Sequence, residues 1–130
     1  MNRSDWLIET RRETEERYTA LWAPTYSEEW GIYPNESHQH FIKKFLSLLP
    51  AHSAVLDAAC GAGRYMPMLL GQEHTVVGID QSQGMLAQAR QKFPHVPSEK
   101  VGLQEMDYRE AFDGVLCIDA LEMVAPEDWP

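Results

Sequence analysis

Two glycines and an aspartate in the segment AVLDAACGAGRYM, residues 54–66, are well placed to bind a ligand. Gly61 and Gly63 bracket one alanine, as in the glycine-rich turns that bring backbone amides close to a phosphate. The dinucleotide pattern requires a third glycine three residues after the second, where this chain has Met66. Asp57 also puts negative charge where phosphates would bind. The turn therefore predicts a ligand that lacks a diphosphate.

Acidic residues predicted at the ends of three strands favour a cationic ligand that contains a nucleoside. The Asp57 carboxylate would attract an ammonium group directly or through water. Asp80 lies at the end of the second predicted strand, where it can accept hydrogen bonds from both hydroxyls of a ribose. Asp107 lies at the end of the third, where it would accept from the exocyclic amine of an adenine that lies against Met85 or Met106. Ammonium, sulfonium, ribose and adenine together describe S-adenosylmethionine.

Short apolar segments that alternate with helical patterns predict the sheet that positions these residues. The predicted strands are 53–59, 74–80, 100–107 and 111–120. Helices are predicted at 63–70 and at 82–93, with Ser82 as the cap of the second. This alternation is typical of a doubly wound, mostly parallel, Rossmann-like α/β sheet with strand order 3-2-1-4. Ligands bind such sheets beyond the carboxyl ends of the strands.

Residues 1–50 are predicted to form a helical cap, and residues 51–130 the ligand-binding domain. The cap is expected to contain a charged helix, a loop or lid and an amphipathic helix, at 4–22, 23–37 and 38–50. Four aromatic side chains of the cap would either line a pocket for a second ligand or pack the cap in place: Trp22, Tyr26, Trp30 and Tyr33.

Composition argues against several classes of partner. The net charge is -9 and no basic run exceeds two residues, which disfavours nucleic acid or an anionic membrane as partner. No apolar segment is long enough to span a bilayer. Cys60 and Cys117 form no CxxC motif, which argues against a disulfide scaffold or structural zinc and favours a cytoplasmic location. His38 and His40 would point to different sides of a helix, so we expect no metal site.

Four segments together resemble the motifs of class I S-adenosylmethionine-dependent methyltransferases of the small-molecule type: VLDAACGAGRY, VVGIDQSQGMLAQAR, LQEMDYRE and FDGVLCIDALEMV. The resemblance covers residues 50–125 in order and spacing, and residues 25–31 more loosely. It implies that thirteen residues bind the cofactor: Asp57, Ala59, Gly61, Gly63, Arg64, Tyr26, Asp80, Gln81, Met85, Met106, Asp107, Cys117 and Ile118.

The resemblance also implies a role for several of these residues. Asp57 and the two glycines would hold the methionine part of the cofactor, and Tyr26 or Arg64 its carboxylate. Asp80 would bind the ribose. Met106 and Asp107 would bind the adenine, and Cys117 with Ile118 would line the space beside the reactive methyl group.

The implied reaction is methyl transfer from S-adenosylmethionine to a small-molecule acceptor, with S-adenosylhomocysteine as product. Such an in-line displacement mainly needs aligned reactants and exclusion of water. Glu122, Asp119 and His38 are candidates for a base, and nothing in the sequence selects one. Two alternatives stay open: a non-catalytic cofactor-binding or dimerising module, and a nicotinamide-dependent oxidoreductase, which Met66 and Asp57 disfavour.

The fourth predicted strand raises a question about the end of the chain. In the order 3-2-1-4 this strand is an edge, yet GVLCI is a continuous apolar run typical of interior strands. The methyltransferases that the chain resembles continue with a further helix and three more strands. We therefore expect either a fragment of a longer protein or a homodimer that pairs through the fourth strand.

Overall fold

A parallel four-stranded sheet organises the chain in a computed structural model that describes residues 1–26, 28 and 35–129. The strands are β1 Ala54–Ala58, β2 Thr75–Asp80, β3 Ser98–Lys100 and β4 Gly114–Cys117. Their order is β3-β2-β1-β4, and each neighbouring pair is parallel. This confirms the predicted Rossmann-like α/β fold and its strand order.

The helices that the structure describes are α1 Arg3–Arg17, α2 Glu36–Ser47, α3 Met66–Leu70 and α4 Gln83–Lys92. A π-helical turn, Tyr18–Trp22, extends α1. Single 3-10 turns occur at Leu103–Glu105, Leu121–Met123 and Pro126–Asp128. Within the described part of the chain, no helix is both long enough and apolar enough to cross a bilayer.

The two faces of the sheet are covered differently, because successive side chains of a strand point to opposite faces. On one face, buried side chains of α2, α3 and α4 pack against the strands: Ile42, Leu46, Leu69, Leu86, Ala89, Val55, Val76 and Leu116. On the other face, Leu56, Ala58 and Ile79 are buried against side chains that follow β3 or precede β4: Val101, Leu103 and Phe112. Helices α2, α3 and α4 therefore cover one face, and loop side chains cover the second.

Side-chain caps determine where two helices begin. The Ser82 hydroxyl accepts a hydrogen bond from the Met85 amide at 3.3 Å, which confirms the predicted cap of α4. The Asn35 side chain accepts from the His38 amide at 2.9 Å, so α2 begins at Glu36 rather than at 38. These side-chain acceptors satisfy amides that have no partner inside the helix.

The prediction of a third strand over residues 100–107 is wrong. β3 spans Ser98–Lys100, and a 3-10 turn at Leu103–Glu105 lies in the middle of the segment expected to form the strand. The Gly102 amide donates to the Glu105 carboxylate at 2.8 Å, while the Glu105 amide donates to the Gly102 carbonyl at 2.9 Å. These two bonds close a local turn, which occupies the backbone groups that a longer strand would need.

Two further elements are shorter than predicted. α3 begins at Met66 rather than at 63, because residues 61–65 form a series of turns. β4 has four residues rather than ten, and it forms an edge of the sheet with the Val115 side chain 53% exposed. Pairing of two copies through this edge stays a prediction.

Charged contacts attach α1 to the rest of the molecule. None of the residues of α1 is buried. Its surface is joined to the turn at Pro126–Asp128 and to β3 by three ion pairs, which we call the α1 ion pairs: Arg3–Glu127, Arg11–Asp128 and Glu15–Lys100. Ion pairs near a protein surface contribute little individually and are weakened by salt. The position of α1 should therefore depend on ionic strength.

We expect the variant Arg11→Gln, and wild type in about 1 M NaCl, to lose hydrogen-exchange protection in α1 while β1 amides keep theirs. Arg12→Gln is the matched control, because among the described residues Arg12 pairs with Glu9 and Glu16 of α1 itself. Equal protection of α1 in all of these samples would show that the α1 ion pairs do not hold the helix.

The π-helical turn docks on the start of α4 at Gly84. A Cβ atom at this glycine would lie 2.9 Å from the Thr19 Cα and 3.1 Å from the Ala23 Cβ. The Gly84 amide also donates to the Thr19 hydroxyl at 3.3 Å. A side chain at this position would therefore push the N-terminal segment away from the sheet domain.

Gly84→Ala tests this contact, because helix propensity alone would stabilise the variant by up to about 1 kcal/mol. We expect instead a loss of about 1–3 kcal/mol in the free energy of unfolding, measured by denaturant titration, because the added methyl group overpacks the contact. The exposed position Gln91→Ala in the same helix serves as control. A Gly84→Ala variant as stable as wild type would contradict the close packing.

Candidate functional site

A cavity of about 420 Å³ lies between the carboxyl ends of the strands and α1. Its sheet side is formed by residues at or just after the end of each strand: Ala59, Cys60, Gly61, Asp80, Gln81, Ser82, Val101, Gly102, Leu103, Gln104, Ile118 and Asp119. Its other side is one face of α1, with residues at helical spacing: Arg3, Trp6, Leu7, Thr10, Arg11 and Thr14. This size is within the usual range for small-molecule sites.

The glycine turn between β1 and α3 uses backbone conformations that favour glycine. Gly61 and Gly63 have φ angles of 53° and 85°, and Ala59 has a φ of 58°. The amides of the turn donate within the protein: Cys60 to the Ile79 carbonyl at 2.8 Å, and Gly63 to the Cys60 carbonyl at 3.0 Å. These amides are not available to a phosphate, so the turn does not act as the phosphate cradle of dinucleotide sites.

Asp80 joins the glycine turn to the start of α4. One carboxylate oxygen accepts from the Gly61 amide at 2.9 Å, and the other accepts from the Ser82 amide at 2.8 Å. Burial raises the pKa of Asp80, and the hydrogen bonds from these amides partly oppose that rise. A carboxylate has about four acceptor positions, so Asp80 can accept further hydrogen bonds from a ligand in the cavity that it lines.

Asp57 is a residue of β1 that precedes the glycine turn and does not line the cavity. Its side chain is 2% exposed, and its Oδ2 atom has no hydrogen-bond partner in the described part of the chain. Burial, with a smaller contribution from the negative charge of Asp80, raises the pKa of Asp57 to about 7. A buried acceptor without a partner indicates a position where a donor can bind.

The structure brings eight of the thirteen predicted residues into the cavity wall: Tyr26, Ala59, Gly61, Arg64, Asp80, Gln81, Met85 and Ile118. The other five do not line the cavity: Asp57, Gly63, Met106, Asp107 and Cys117. Tyr26 also packs with Ala23, Ala62 and Met85 in a small core cluster. Trp30 and Tyr33 are outside the described residues, and Trp22 is not part of the cavity wall.

Met106 and Asp107 lie away from the cavity because β3 ends earlier than predicted. Met106 is 41% exposed, and the Asp107 side chain is 89% exposed. Residues 101–104 line the cavity in their place. Sequence reasoning missed these four residues, although Gly102 with Glu105 three positions later is the pattern of a local turn.

Gly63 and Cys117 contribute to packing and to strand pairing around the site. A Cβ atom at Gly63 would lie 3.0 Å from both the Met66 sulfur and the Phe93 ring, so this glycine permits packing beneath the turn. Cys117 pairs with Ala58 in the sheet, and its thiol is free, as is that of Cys60. Among the described residues, no group of three or more histidine, cysteine, aspartate or glutamate side chains could hold a metal ion.

Residues 55–130, more than half of the chain, match a family model described as a methyltransferase domain. The chain is 30% identical over 70 residues to dTDP-4-amino-2,3,4,6-tetradeoxy-D-glucose N,N-dimethyltransferase of Saccharopolyspora spinosa, a match that covers 54% of this chain and 28% of the relative. It is 34% identical over 61 residues to trans-aconitate 2-methyltransferase of Methylobacterium nodulans, covering 45% and 24% respectively. The chain thus matches less than a third of the length of these relatives.

The fold is similar to that of 1,6-didemethyltoxoflavin-N1-methyltransferase of Burkholderia thailandensis, solved with 1,6-didemethyltoxoflavin and S-adenosylhomocysteine. The TM-score is 0.70 at 21% identity, and the match covers 98% of this chain and 54% of that structure. At this identity the likeness concerns the fold alone. Together with the family match, it shows that the chain belongs to the methyltransferase-domain family, with the Rossmann-like fold of class I S-adenosylmethionine-dependent methyltransferases.

Proposed function

We propose that the chain binds S-adenosylmethionine in the cavity and acts as the cofactor-binding part of a methyltransferase for a small-molecule acceptor. The observation that carries this proposal is the arrangement of Asp80 and the glycine turn. The Gly61 amide donates a hydrogen bond to the Asp80 carboxylate, and that carboxylate borders the cavity. The site thus presents an acceptor for ligand hydroxyls rather than free amides for a phosphate.

The side chains around the cavity are suited to the parts of this cofactor. Asp80 would accept from the ribose hydroxyls, and Val101 with Leu103 would offer apolar contacts to the adenine. The unpartnered oxygen of Asp57 would accept from the ammonium through a water molecule, because the side chain does not line the cavity. Tyr26 or Arg64 would contact the carboxylate.

The bound cofactor would supply a methyl group on a positively charged sulfur. The chain would align this group with the acceptor and exclude water, and α1 would contribute to that exclusion because one of its faces closes the cavity. We also propose residues 1–50 as the cap and 51–130 as the cofactor-binding domain. The core contacts of Ile42 and Leu46 in α2 indicate that the cap is not independent of the sheet.

The named relatives support methyl transfer and leave the acceptor open. One is named for an amino-sugar substrate, one for trans-aconitate and one is solved with 1,6-didemethyltoxoflavin. All three acceptors are small molecules. None of these relatives is named as a nicotinamide-dependent oxidoreductase or as a non-catalytic module, so neither alternative gains support.

Asp80→Ala tests the assignment of the cofactor site. Titration calorimetry with S-adenosylhomocysteine should show binding weakened by about 1–3 kcal/mol, because the ribose hydroxyls lose a charged acceptor. Asp107→Ala is the matched control, because its exposed carboxylate lies outside the cavity, and it should bind like wild type. Unchanged binding by Asp80→Ala would contradict our assignment, and weaker binding by Asp107→Ala would restore the sequence-based role of Asp107.

The raised pKa of Asp57 predicts opposite effects of pH on protein stability and on ligand binding. A folded-state pKa of about 7 favours the protonated carboxyl. The contribution of Asp57 to the free energy of unfolding is therefore complete below its unfolded-state pKa of about 4, and it is lost as pH rises through about 7. Binding of an ammonium requires the carboxylate, so affinity for S-adenosylhomocysteine should increase over the same range.

The Asp57→Asn variant provides the reference for both effects. The difference in free energy of unfolding between wild type and this variant should fall as pH rises from about 4 to about 7. Calorimetric affinity should rise with pH in wild type and stay nearly flat in the variant. Parallel pH profiles for the two proteins would show that Asp57 causes neither effect.

A further inference from the structure

A chain of hydrogen-bonding groups joins three separate segments at the cavity wall. The Tyr65 hydroxyl lies 3.1 Å from Nδ1 of His38, and Nε2 of His38 lies 3.2 Å from a carboxylate oxygen of Asp119. Tyr65 precedes α3, His38 is in α2 and Asp119 follows β4. Tyr65 and Asp119 line the cavity, whereas His38 lies behind them with 18% of its side chain exposed.

The partners of His38 determine which of its nitrogens carries the proton. Asp119 is an acceptor, so Nε2 donates to it. In the neutral imidazole, Nδ1 is then an acceptor for the Tyr65 hydroxyl. Burial raises the pKa of Tyr65 to about 12, which keeps this hydroxyl protonated at neutral pH. The Tyr65 oxygen retains lone pairs that can accept a hydrogen bond from a ligand.

We propose that Tyr65, His38 and Asp119 form a proton relay that receives the proton of the methyl acceptor, a small-molecule hydroxyl or amine. This inference rests on the proposed function. Tyr65 would be the catalytic residue, because it is the member that would contact the acceptor. His38 and Asp119 would act through Tyr65, as its proton acceptor and as the group that orients that acceptor.

The proposed step conserves atoms and charge. The acceptor oxygen or nitrogen forms a bond to the methyl carbon, and the electron pair of the breaking carbon–sulfur bond returns to sulfur. The acceptor proton moves to the Tyr65 oxygen while the original Tyr65 proton moves to Nδ1 of His38. Nε2 keeps its proton and its hydrogen bond to Asp119, whose charge stabilises the imidazolium.

The backbone of Asp119 adopts an unusual conformation at the edge of the cavity. Its φ angle of 50° is in the left-handed region that most side chains avoid. Asp119 lies two residues after β4 and lines the cavity, and its carboxylate contacts His38 although 71% of the side chain is exposed. Strained backbone of this kind is commonly found at functional sites.

The first test reads the tautomer of His38 and requires neither cofactor nor acceptor. Nitrogen-15 spectra of the histidine rings at about pH 8, above the usual histidine pKa, should show the proton of His38 on Nε2, with His38→Gln used to assign the signal. Asp119→Gly removes the carboxylate, tolerates the positive φ and should produce a mixture of tautomers. His40→Gln should leave the signal unchanged. A mixture in wild type, or no response to Asp119→Gly, would overturn the relay.

The second test separates this relay from cofactor binding. Tyr65→Phe and His38→Gln should bind S-adenosylhomocysteine within about threefold of wild type in calorimetry, a change of less than 1 kcal/mol. A loss above about tenfold would show that Tyr65 serves the cofactor and would overturn the relay. Failure of wild type to bind would refute the proposed function, while the tautomer measurement would still report on the relay.

Methyl transfer to small phenols and primary amines gives the kinetic readout. Both variants should lower kcat by about 100-fold or more with little change in KM, because general-base catalysis contributes about 10²–10⁴-fold. Full activity in Tyr65→Phe would overturn the assignment.

Discussion

The carboxylate of Asp80 fixes the geometry on which the candidate site depends. It is at the end of β2 and accepts from the Gly61 amide in one loop and the Ser82 amide in the next. Those two bonds set the glycine turn against the first residues of α4, where Ser82 also caps the helix. Two walls of the cavity are thereby held by one partly buried side chain. The remaining lone pairs of that side chain are available to a ligand.

The same arrangement explains what kind of ligand the turn can accept. A glycine turn that binds diphosphate needs free amides and a positive environment. Here the Cys60, Gly61 and Gly63 amides donate within the protein, and Asp57 and Asp80 place two carboxyl groups beneath and beside the turn. The site is therefore better suited to a cationic ligand with hydroxyl groups. The raised pKa of Asp57 reflects the cost of burying a carboxylate before such a ligand neutralises it.

Much of the sheet could be predicted because its signals are local. β1 and β2 are short apolar segments, and Ser82 precedes a helical pattern, so their positions follow from neighbouring residues. β3 could not be placed in this way, because the Gly102–Glu105 turn competes with an apolar strand pattern and prevails through two local hydrogen bonds. That error moved the predicted site residues to Met106 and Asp107, whereas residues 101–104 are the ones that line the cavity.

Other parts of the site depend on contacts between distant segments and have no local signal. The α1 ion pair Arg3–Glu127 joins residues 124 positions apart, so nothing near Arg3 predicts that α1 covers the cavity. His38 and Tyr65 are 27 positions apart, and Asp119 belongs to a third segment. From the sequence, His38 and Asp119 could be named only as separate candidates for a base, and the HxH pattern raised the question of a metal. The structure instead joins one of these histidines to a tyrosine and an aspartate.

The most direct test of the central claim is to map S-adenosylhomocysteine onto the chain by proton–nitrogen correlation spectra. The account predicts that the largest shift changes occur at Ala59–Gly61, Asp80–Ser82 and Val101–Gln104, the segments that line the cavity at the ends of β1, β2 and β3. The Gly61 amide should respond because its acceptor, Asp80, gains new donors. Changes confined to other surfaces, or a folded chain whose spectrum does not change, would contradict the account.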